Sequence, residues 1–507
     1  MRQLFEDSKT LRPLRPRQVR AIEEIRAAVR EGHRRIVLQA PTGFGKTLVS
    51  AHMISNAAAR GNRPLFTCPA ITLVNQTLHH FENEGIKDIG VIQAQHERTD
   101  FDAQVQIASV QTLIRRALPE VHFVLIDECH LQFKKLNAVL DSEEWKDKIV
   151  IGLSATPWTK GMGLRWTKLI IAATIQELID EKLLSHFVIY TPKKEAQFSK
   201  LKTKLGEFTE ESSAVVMGDK SIVADVVKTW IEKGPGDRTF LFAVNRAHAR
   251  RLQEEFIEQG ISCGYIDAYT DGDERKEVFK RFRCGEFKVI ASVGCLTTGV
   301  DEDVRCIIDA QPTRDEKKHV QKIGRGLRIA EGKYSLLILD HAGNTLRLGM
   351  VTDIQHDHLD KRKPGDKGDA YSDEVTKPKP KKCSNCGAVI QPGKPVCNFC
   401  FHKIEVDHGV ETEEGELVLF QSSPKKKAAS GLDEQDWYSG FLGLAKERGY
   451  KTQWADHRFK EKFGDFPVRL RKEPKAPTIA IRAFDHHQRI KRAKSNDSKP
   501  NIEVAAR

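Results

Sequence analysis

From residue 18 to about 340 the chain alternates short apolar runs with stretches patterned for helices, and this alternation constrains the fold more than any other feature. IVLQ at 36–39, LFTC at 65–68, VQIA at 105–108, FVLI at 123–126 and IVIGL at 149–153 are apolar almost throughout rather than at every second residue. Such strands bury both faces, as in a parallel sheet covered by helices. A second series repeats the pattern: TFLFAV at 239–244, CGYID at 263–267, KVIASV at 288–293, CIIDA at 306–310 and SLLILD at 335–340. The expected fold is α/β, with two doubly wound parallel-sheet domains in tandem over 1–168 and 169–350.

Beyond residue 350 the texture changes. KRKPGDKGDAYSDEVTKPKPKK at 361–382 is charged and rich in Pro and Gly, so 351–382 is expected to be a linker. A cysteine cluster at 383–402 follows, then a second linker over 403–430. Residues 431–475 form a small helical segment in which Trp437, Phe441, Leu444, Trp454, Phe459 and Phe463 recur at helical spacing and read as an ordinary small core, with stacking of single-stranded bases on these aromatics as the alternative. The basic tail 476–507 shows no periodicity and is expected to be disordered.

Lys and Arg total 82 against 70 Asp and Glu, a net charge of +12 that favours a polyanionic partner. The mean hydropathy is −0.46. The longest apolar stretches, such as LIIAATI at 169–175, are too short to span a bilayer, and MRQLFEDSKT lacks the apolar core of a secretory signal. A cytoplasmic address with no membrane contact is expected. Six of the ten cysteines are scattered singly in apolar segments, which is reduced, intracellular usage.

APTGFGKT at 40–47 lies between a strand and a helix. Gly43 and Gly45 let the backbone wrap a phosphate and the helix N-terminus offers amide donors. Lys46 can reach the β- and γ-phosphates, and Thr47 can hold Mg²⁺. The strict phosphate-loop pattern has Gly where this chain has Ala40. VLIDECH at 124–130 supplies the second half of such a site: Asp127, at the end of a strand, would hold Mg²⁺, and Glu128 would orient or deprotonate a water. Cys129 reads as a packed small residue. His130, with no second ligand at helical spacing, reads as a link between nucleotide and motion. The metal-binding thiols are expected elsewhere: Cys383, Cys386, Cys397 and Cys400 form two C-x2-C pairs separated by ten residues, the spacing of a zinc ribbon, with Gly387 and Gly393 in its knuckles.

The DECH box resembles the Asp-Glu-x-His box of superfamily 2 DEAD/DEAH helicases, and further motifs follow in family order. LRPRQ at 14–18 is similar to the adenine-reading Q motif, LSATP at 153–157 to motif III, CLTTGVD at 295–301 to motif V and QKIGRGLR at 321–328 to motif VI. The resemblance implies two RecA-like domains that bind ATP through Arg15, Gln18 (as base reader), Thr42, Gly43, Gly45, Lys46, Thr47, Gly299 and Asp301. It implies catalysis by Lys46, Asp127 and Glu128, with Gln321, Arg325 and Arg328 facing the γ-phosphate from the second domain, and coupling through His130, Ser154 and Thr156. CPAITLVNQ, SVQTL and NRAHARRL resemble motifs Ia, Ib and IV, which makes Thr112, Arg246 and Thr298 nucleic-acid candidates.

Over about 1–402 the chain is similar to RadD-like bacterial and phage DNA repair helicases. This implies an ATP-, Mg²⁺- and Zn²⁺-dependent helicase or translocase on single-stranded or branched DNA, with single-strand binding protein as a partner. Residues 431–507 lie outside the resemblance. An RNA helicase and a restriction-system motor are the enzymatic alternatives, although no acidic-acidic-lysine nuclease pattern accompanies the motor. A zinc-containing adaptor switched by ATP is the non-enzymatic one, and Glu128, Arg325 and Arg328 count against it, because a binding switch need not keep hydrolytic groups.

Overall fold

The computed structural model describes residues 11–116, 119–192, 198, 200–204, 206–218, 226–297, 299–363, 366, 380–391, 394–403, 433–468, 470–478, 481–482, 484–485 and 488. The chain divides into two compact units, Met1–His408 and Gly409–Arg507. Much of both expected linkers, the end of the basic tail, Thr298 and Gly393 lie outside the described residues.

The first unit carries two large parallel sheets. β1 (Arg35–Gln39), β2 (Pro64–Cys68), β3 (Ile89–Ile92), β4 (Val105–Ser109), β5 (Phe123–Asp127), β6 (Ile149–Ser154) and β7 (Lys168–Ile171) pair in the order β3-β4-β2-β5-β6-β1-β7. β8 (His186–Tyr190) joins a second sheet. After the short hairpin of β9 (Thr203–Lys204) and β10 (Glu207–Phe208) come β11 (Thr239–Ala243), β12 (Cys263–Ile266), β13 (Val289–Ser292), β14 (Cys306–Ala310) and β15 (Ser335–Asp340), in the order β12-β13-β11-β14-β15-β8. The central strands are buried along their whole length, as their continuous apolar runs require. These are the two RecA-like α/β domains expected from the motifs.

Topology positions the chemistry. β5, β6 and β1 are neighbours in register, with Leu125 opposite Ile151 and Leu38 opposite Leu153. Three loops at the carboxyl ends of adjacent strands therefore converge: the phosphate loop after β1, the DECH turn after β5 and the SATP turn after β6.

Three sequence boundaries need correction. The break expected at 168 falls inside the first sheet, because β7 pairs with β1 and runs to Ile171. The expected linker at 351–382 does not begin at 351: Val351, Ile354, His356, Leu359 and Asp360 are buried. Leu359 packs in the first domain with Trp145, Met162 and Trp166, and Gly163 N donates to Asp360 O at 2.7 Å. The segment leaves the second domain and straps back onto the first. Its polar composition hid this, because the few apolar residues that anchor it have no period.

The described part of the third piece, β16 (Lys381–Lys382) and β17 (Val389–Ile390), is an antiparallel hairpin carrying the cysteines.

In the second unit the helices Glu434–Glu447 and Gln453–Phe463 pack around Trp437, Tyr438, Phe441, Leu444 and Phe459, all buried. Asp433 caps the first helix by accepting from Asp436 N at 2.8 Å. The compact unit extends past 475, against the expectation of a disordered tail there. Ile481 is buried against Gly440, where any Cβ would lie 2.1 Å from its Cδ1, and Asp485 pairs with Arg448 and Arg458. Isolated anchors of this kind carry no periodic signal. Among the described residues, no helix is long and apolar enough to cross a membrane.

Candidate functional site

Gly45 precedes the helix Lys46–Ala58 at φ 91°, and Gly43 has φ 84°, both in the left-handed region that glycine adopts without strain. A Cβ on Gly45 would lie 2.5 Å from Gln18 Nε2, so the loop is also held by close packing. Gln18 is buried; it donates to Phe44 O at 2.8 Å and accepts from Arg15 N at 2.8 Å. Arg15 in turn donates to Gly43 O at 3.3 Å and to Phe44 O. The expected base reader thus faces the phosphate loop and braces it.

Thr42, Gly43, Gly45, Lys46, Thr47, Asp127, Glu128, Gly299, Asp301, Arg325 and Arg328 line one cleft of about 690 Å³ between the two domains. Lys46 Nζ donates to Ala40 O at 2.9 Å. Burial lowers its pKa against the opposing pull of Glu128 and Asp127. Burial, and then the neighbouring Glu128 charge, push Asp127 up to about 7. Burial would raise Glu128 too, but the hydrogen bond from His130 and the Lys46 charge outweigh it, and its pKa falls below the ordinary value. Two adjacent enclosed carboxylates beside the Thr47 hydroxyl are a donor set that fits a divalent cation.

Arg325 is buried and directs its guanidinium to Thr297 O (2.8 Å from Nε) and Val300 O (3.0 Å). Burial, and then Arg328, lower it to about 10. Arg328 donates to Val300 O at 2.8 Å and pairs with Asp301 at 2.5 Å. The loop after β13 therefore aims both arginines, and close packing brings their helix near: a Cβ on Gly324 would meet Thr42 Oγ1 at 3.1 Å.

Gln321 departs from expectation. It does not line the cleft, and its amide donates to Thr156 Oγ1 at 3.0 Å and to His130 Nε2 at 3.2 Å. The other imidazole nitrogen, Nδ1, then carries the proton, 2.9 Å from Ser154 Oγ and 3.3 Å from Glu128 Oε2. Ser154 Oγ also accepts from Thr156 N at 3.0 Å. One buried imidazole joins a first-domain carboxylate to a second-domain amide. Cys129 packs against Gly152, and burial raises its thiol well above the ordinary value, so it is no nucleophile.

Thr112 and Arg246, the two nucleic-acid candidates among the described residues, sit outside this cleft. Thr112 Oγ1 accepts from Ser109 Oγ at 2.9 Å and from Ala94 N at 3.3 Å. Arg246 pairs with Asp267 at 2.7 Å and lies over the Tyr269 ring at 5.0 Å. Sequence reading missed Gln76, which donates to Gly299 O at 3.2 Å across the domain interface. It lies inside the motif Ia segment, whose family role drew attention to nucleic acid instead.

The ligating atoms of Cys383, Cys386, Cys397 and Cys400 all lie within 4.8 Å of one another. Cys383 Sγ and Cys400 Sγ are 3.6 Å apart, and Cys386 Sγ and Cys397 Sγ 3.8 Å. Knuckle turns place them: Gly387 N donates to Cys383 O at 3.0 Å and Phe401 N to Cys397 O at 2.9 Å. Four converging sulfurs fit a tetrahedral Zn²⁺ ion.

Comparison with known proteins agrees with this geometry. Residues 12–159 match the family model described as type III restriction enzyme, res subunit, and 221–330 match the helicase conserved C-terminal domain. A 51.5 kDa protein of a Lactococcus phage is 27% identical over 416 residues, covering 79% of this chain and 87% of its own. IRC3 of Saccharomyces cerevisiae, named as an ATP-dependent helicase, is 29% identical over 65% of this chain, which spans about half (51%) of the yeast protein. UvrABC system protein B of Helicobacter hepaticus is 30% identical over 26% of this chain and 20% of its own. A fragment of an HsdR subunit of a type I restriction enzyme from Vibrio vulnificus shares the fold, with TM-score 0.51 at 18% identity over 69% of this chain and 68% of its own.

The chain belongs to the superfamily 2 helicases. It is an ATP-hydrolysing helicase enzyme whose two RecA-like domains are followed by a four-cysteine cluster that fits zinc.

Proposed function

We propose that the protein is a nucleic-acid-stimulated ATPase that translocates on or remodels DNA, single-stranded or branched, in repair or recombination of the kind RadD-like helicases serve, with single-strand binding protein as a partner. The observation that carries the reading is the His130 bridge, which couples Glu128 to Gln321 of the opposite domain. Lys46 and the phosphate loop would hold the phosphates of ATP, and Thr47 and Asp127 would hold Mg²⁺, which neutralises phosphate charge. Glu128, kept ionised by His130 and Lys46, takes the proton from the attacking water. Arg325 and Arg328 come from the other domain, and an arginine placed on the transferring phosphoryl group is worth roughly 10³–10⁵ in rate. Hydrolysis therefore requires a closed cleft, and each turnover opens it.

Nucleic acid bound across both domains would be stepped by that cycle, with Thr112, Arg246 and Thr298 as phosphate contacts. The net charge of +12 favours a polyanionic partner, and the choice of DNA rests on the RadD-like resemblance. A restriction-system motor is the second reading, favoured by the res-subunit match over 12–159; an ATPase rate raised by duplex DNA and not by single-stranded or forked DNA would support it.

The deciding experiment is the ATPase rate without nucleic acid and with single-stranded, duplex and forked DNA and RNA, for wild type and Glu128→Gln. Single-stranded or forked DNA should raise the wild-type rate most, and Glu128→Gln should remain silent. If no polymer raises the rate the motor reading fails, and if RNA alone does the substrate is RNA.

A further inference from the structure

The four-cysteine hairpin does more than close on itself. It sits beside the edge strand β8, where Tyr190 and Phe399 meet edge to face at 6.3 Å and Lys382 Nζ donates to Pro192 O. Gln391 donates to Gln176 at 3.1 Å and to Thr352 at 2.9 Å, tying the hairpin to the helix before β8 and to the strap after β15. Between hairpin and strand lies a cavity of about 620 Å³ lined by Phe187, Phe399 and Phe401, with Asp180, His186, Lys394 and Asn398 among its polar lining. Phe401 is 80% exposed and Phe399 51% exposed.

Large aromatic rings left in water are unfavourable relative to burial. Phe401 also adopts φ +57°, an uncommon backbone setting for a side chain of its size, which turns the ring outward. Charge indicates what would cover these rings. Residues 377–403 contain six lysines and no carboxylate, in a chain whose whole net charge is +12. A zinc ion held by four thiolates carries a net charge of −2, which still leaves the segment strongly positive.

A concave aromatic surface with Lys394 and His186 in its lining beside Asp180, on a segment of net positive charge, suits one class of ligand: stacked bases on a phosphodiester backbone. Flat π-faces accept any base, and lysines attract the phosphates without reading sequence. An acidic peptide would satisfy the lysines but leave three phenylalanine rings unmatched.

We propose that this face is an auxiliary binding site for single-stranded nucleic acid, in which Phe399 and Phe401 stack unpaired bases at the cavity mouth and Lys394 meets the adjoining phosphate. β8 and β12 lie at opposite edges of the six-stranded sheet, so the site is separate from the Arg246 region that follows β11 and β12. It rests on the reading that the protein acts on nucleic acid, and extends it by naming a second contact for one unpaired strand.

The test uses the full-length, zinc-loaded protein and a fluorescein-labelled twenty-residue oligothymidylate, with a twenty-base-pair duplex as comparison. Phe401→Ala alone, at a position too exposed to disturb folding, should weaken oligothymidylate binding about tenfold. Phe401→Trp should restore it, and Lys394→Ala should flatten the dependence of affinity on salt. Duplex affinity and zinc content, read by atomic absorption, should stay at wild-type values in all three. Ultraviolet cross-linking of a 5-iododeoxyuridine oligonucleotide should label the peptide containing Phe399 and Phe401.

Equal oligothymidylate affinity in wild type and all variants, with no cross-link to that peptide, overturns the proposal while leaving the motor reading intact. Wild-type protein that binds no oligonucleotide at all overturns both. A wild type that sediments as a dimer, and that Phe401→Ala returns to monomer without changing nucleic-acid affinity, makes this a protein-docking face and overturns the proposal as well.

Discussion

The cleft and the cysteine hairpin both gather cation-binding groups, but they are built in opposite ways. The cleft is lined by residues from two domains that each bury a large apolar core without it. The hairpin has two strands of two residues, and its buried cluster consists of Ile390 and the cysteines themselves. In the first case the fold makes the site. In the second the site makes the fold, because a segment this small cannot bury enough apolar surface to offset its conformational entropy.

The largest expected effect tests that contrast directly. Cys397→Ser, or removal of metal with a chelator, should forfeit most of the roughly 10–16 kcal/mol that structural zinc contributes in small domains. Trypsin should then cut within 380–403 while the melting temperature of the two α/β domains stays near its original value. Joint melting would show that docking on β8 makes the hairpin a part of the second domain.

The converse comes next. Arg325→Ala should lower the ATPase rate by about 10³–10⁵, and Lys46→Ala should abolish hydrolysis, both with full zinc content. Zinc lost from either variant would mean that cleft and hairpin are not separable.

A third test asks how independent the two α/β domains are. Leu359→Ala should destabilise the first domain by about 2–5 kcal/mol in urea unfolding, because its side chain packs in that domain's core although it follows the second domain in sequence. A value under about 0.5 kcal/mol would return the segment to linker status.

Acid gives the smallest effect per step. Burial pulls His248 and His319 down to about 4, and in the case of His248 the Arg251 charge adds to it. Each stays neutral in the fold while an unfolded histidine takes up a proton near 6.5. Their stabilisation is therefore full above about pH 6.5 and is lost as pH falls toward 4, at up to about 1.4 kcal/mol per unit for each. Both belong to the second domain. Pulse proteolysis between pH 7 and 4 should find that domain opening before the first; the reverse order would show that other groups govern its acid stability.

The ten strand segments read from apolar runs all became strands of the two parallel sheets, because a strand buried on both faces must be apolar at nearly every residue. The edge strands β3, β7 and β8 were not read: β8 is largely half-exposed, yet its run FVIY is as long as the FVLI of β5, and β3 is fully buried. Within the cleft, Lys46, Asp127 and Glu128 were legible because phosphate and cation chemistry admits few residue types at fixed places in a strand-turn-helix unit. Gln18 and Gln321 were assigned to the nucleotide by position in their motifs, and only the three-dimensional structure shows that Gln18 braces the phosphate loop and that Gln321 reaches His130 and Thr156. Sequence specifies that an amide is present, and neighbouring atoms decide where it points.

The same division runs through the whole protein. The sequence by itself determined the two parallel sheets, the groups a phosphate and its cation require, and the four thiols, since each is encoded in local spacing. Tertiary structure decided that Arg325 and Arg328 are aimed by carbonyls of the loop after β13, that His130 touches Gln321, and that the chain after residue 350 turns back to the first domain. Those outcomes depend on contacts between residues tens to hundreds of positions apart, and no local pattern of charge or hydropathy encodes a distance in space.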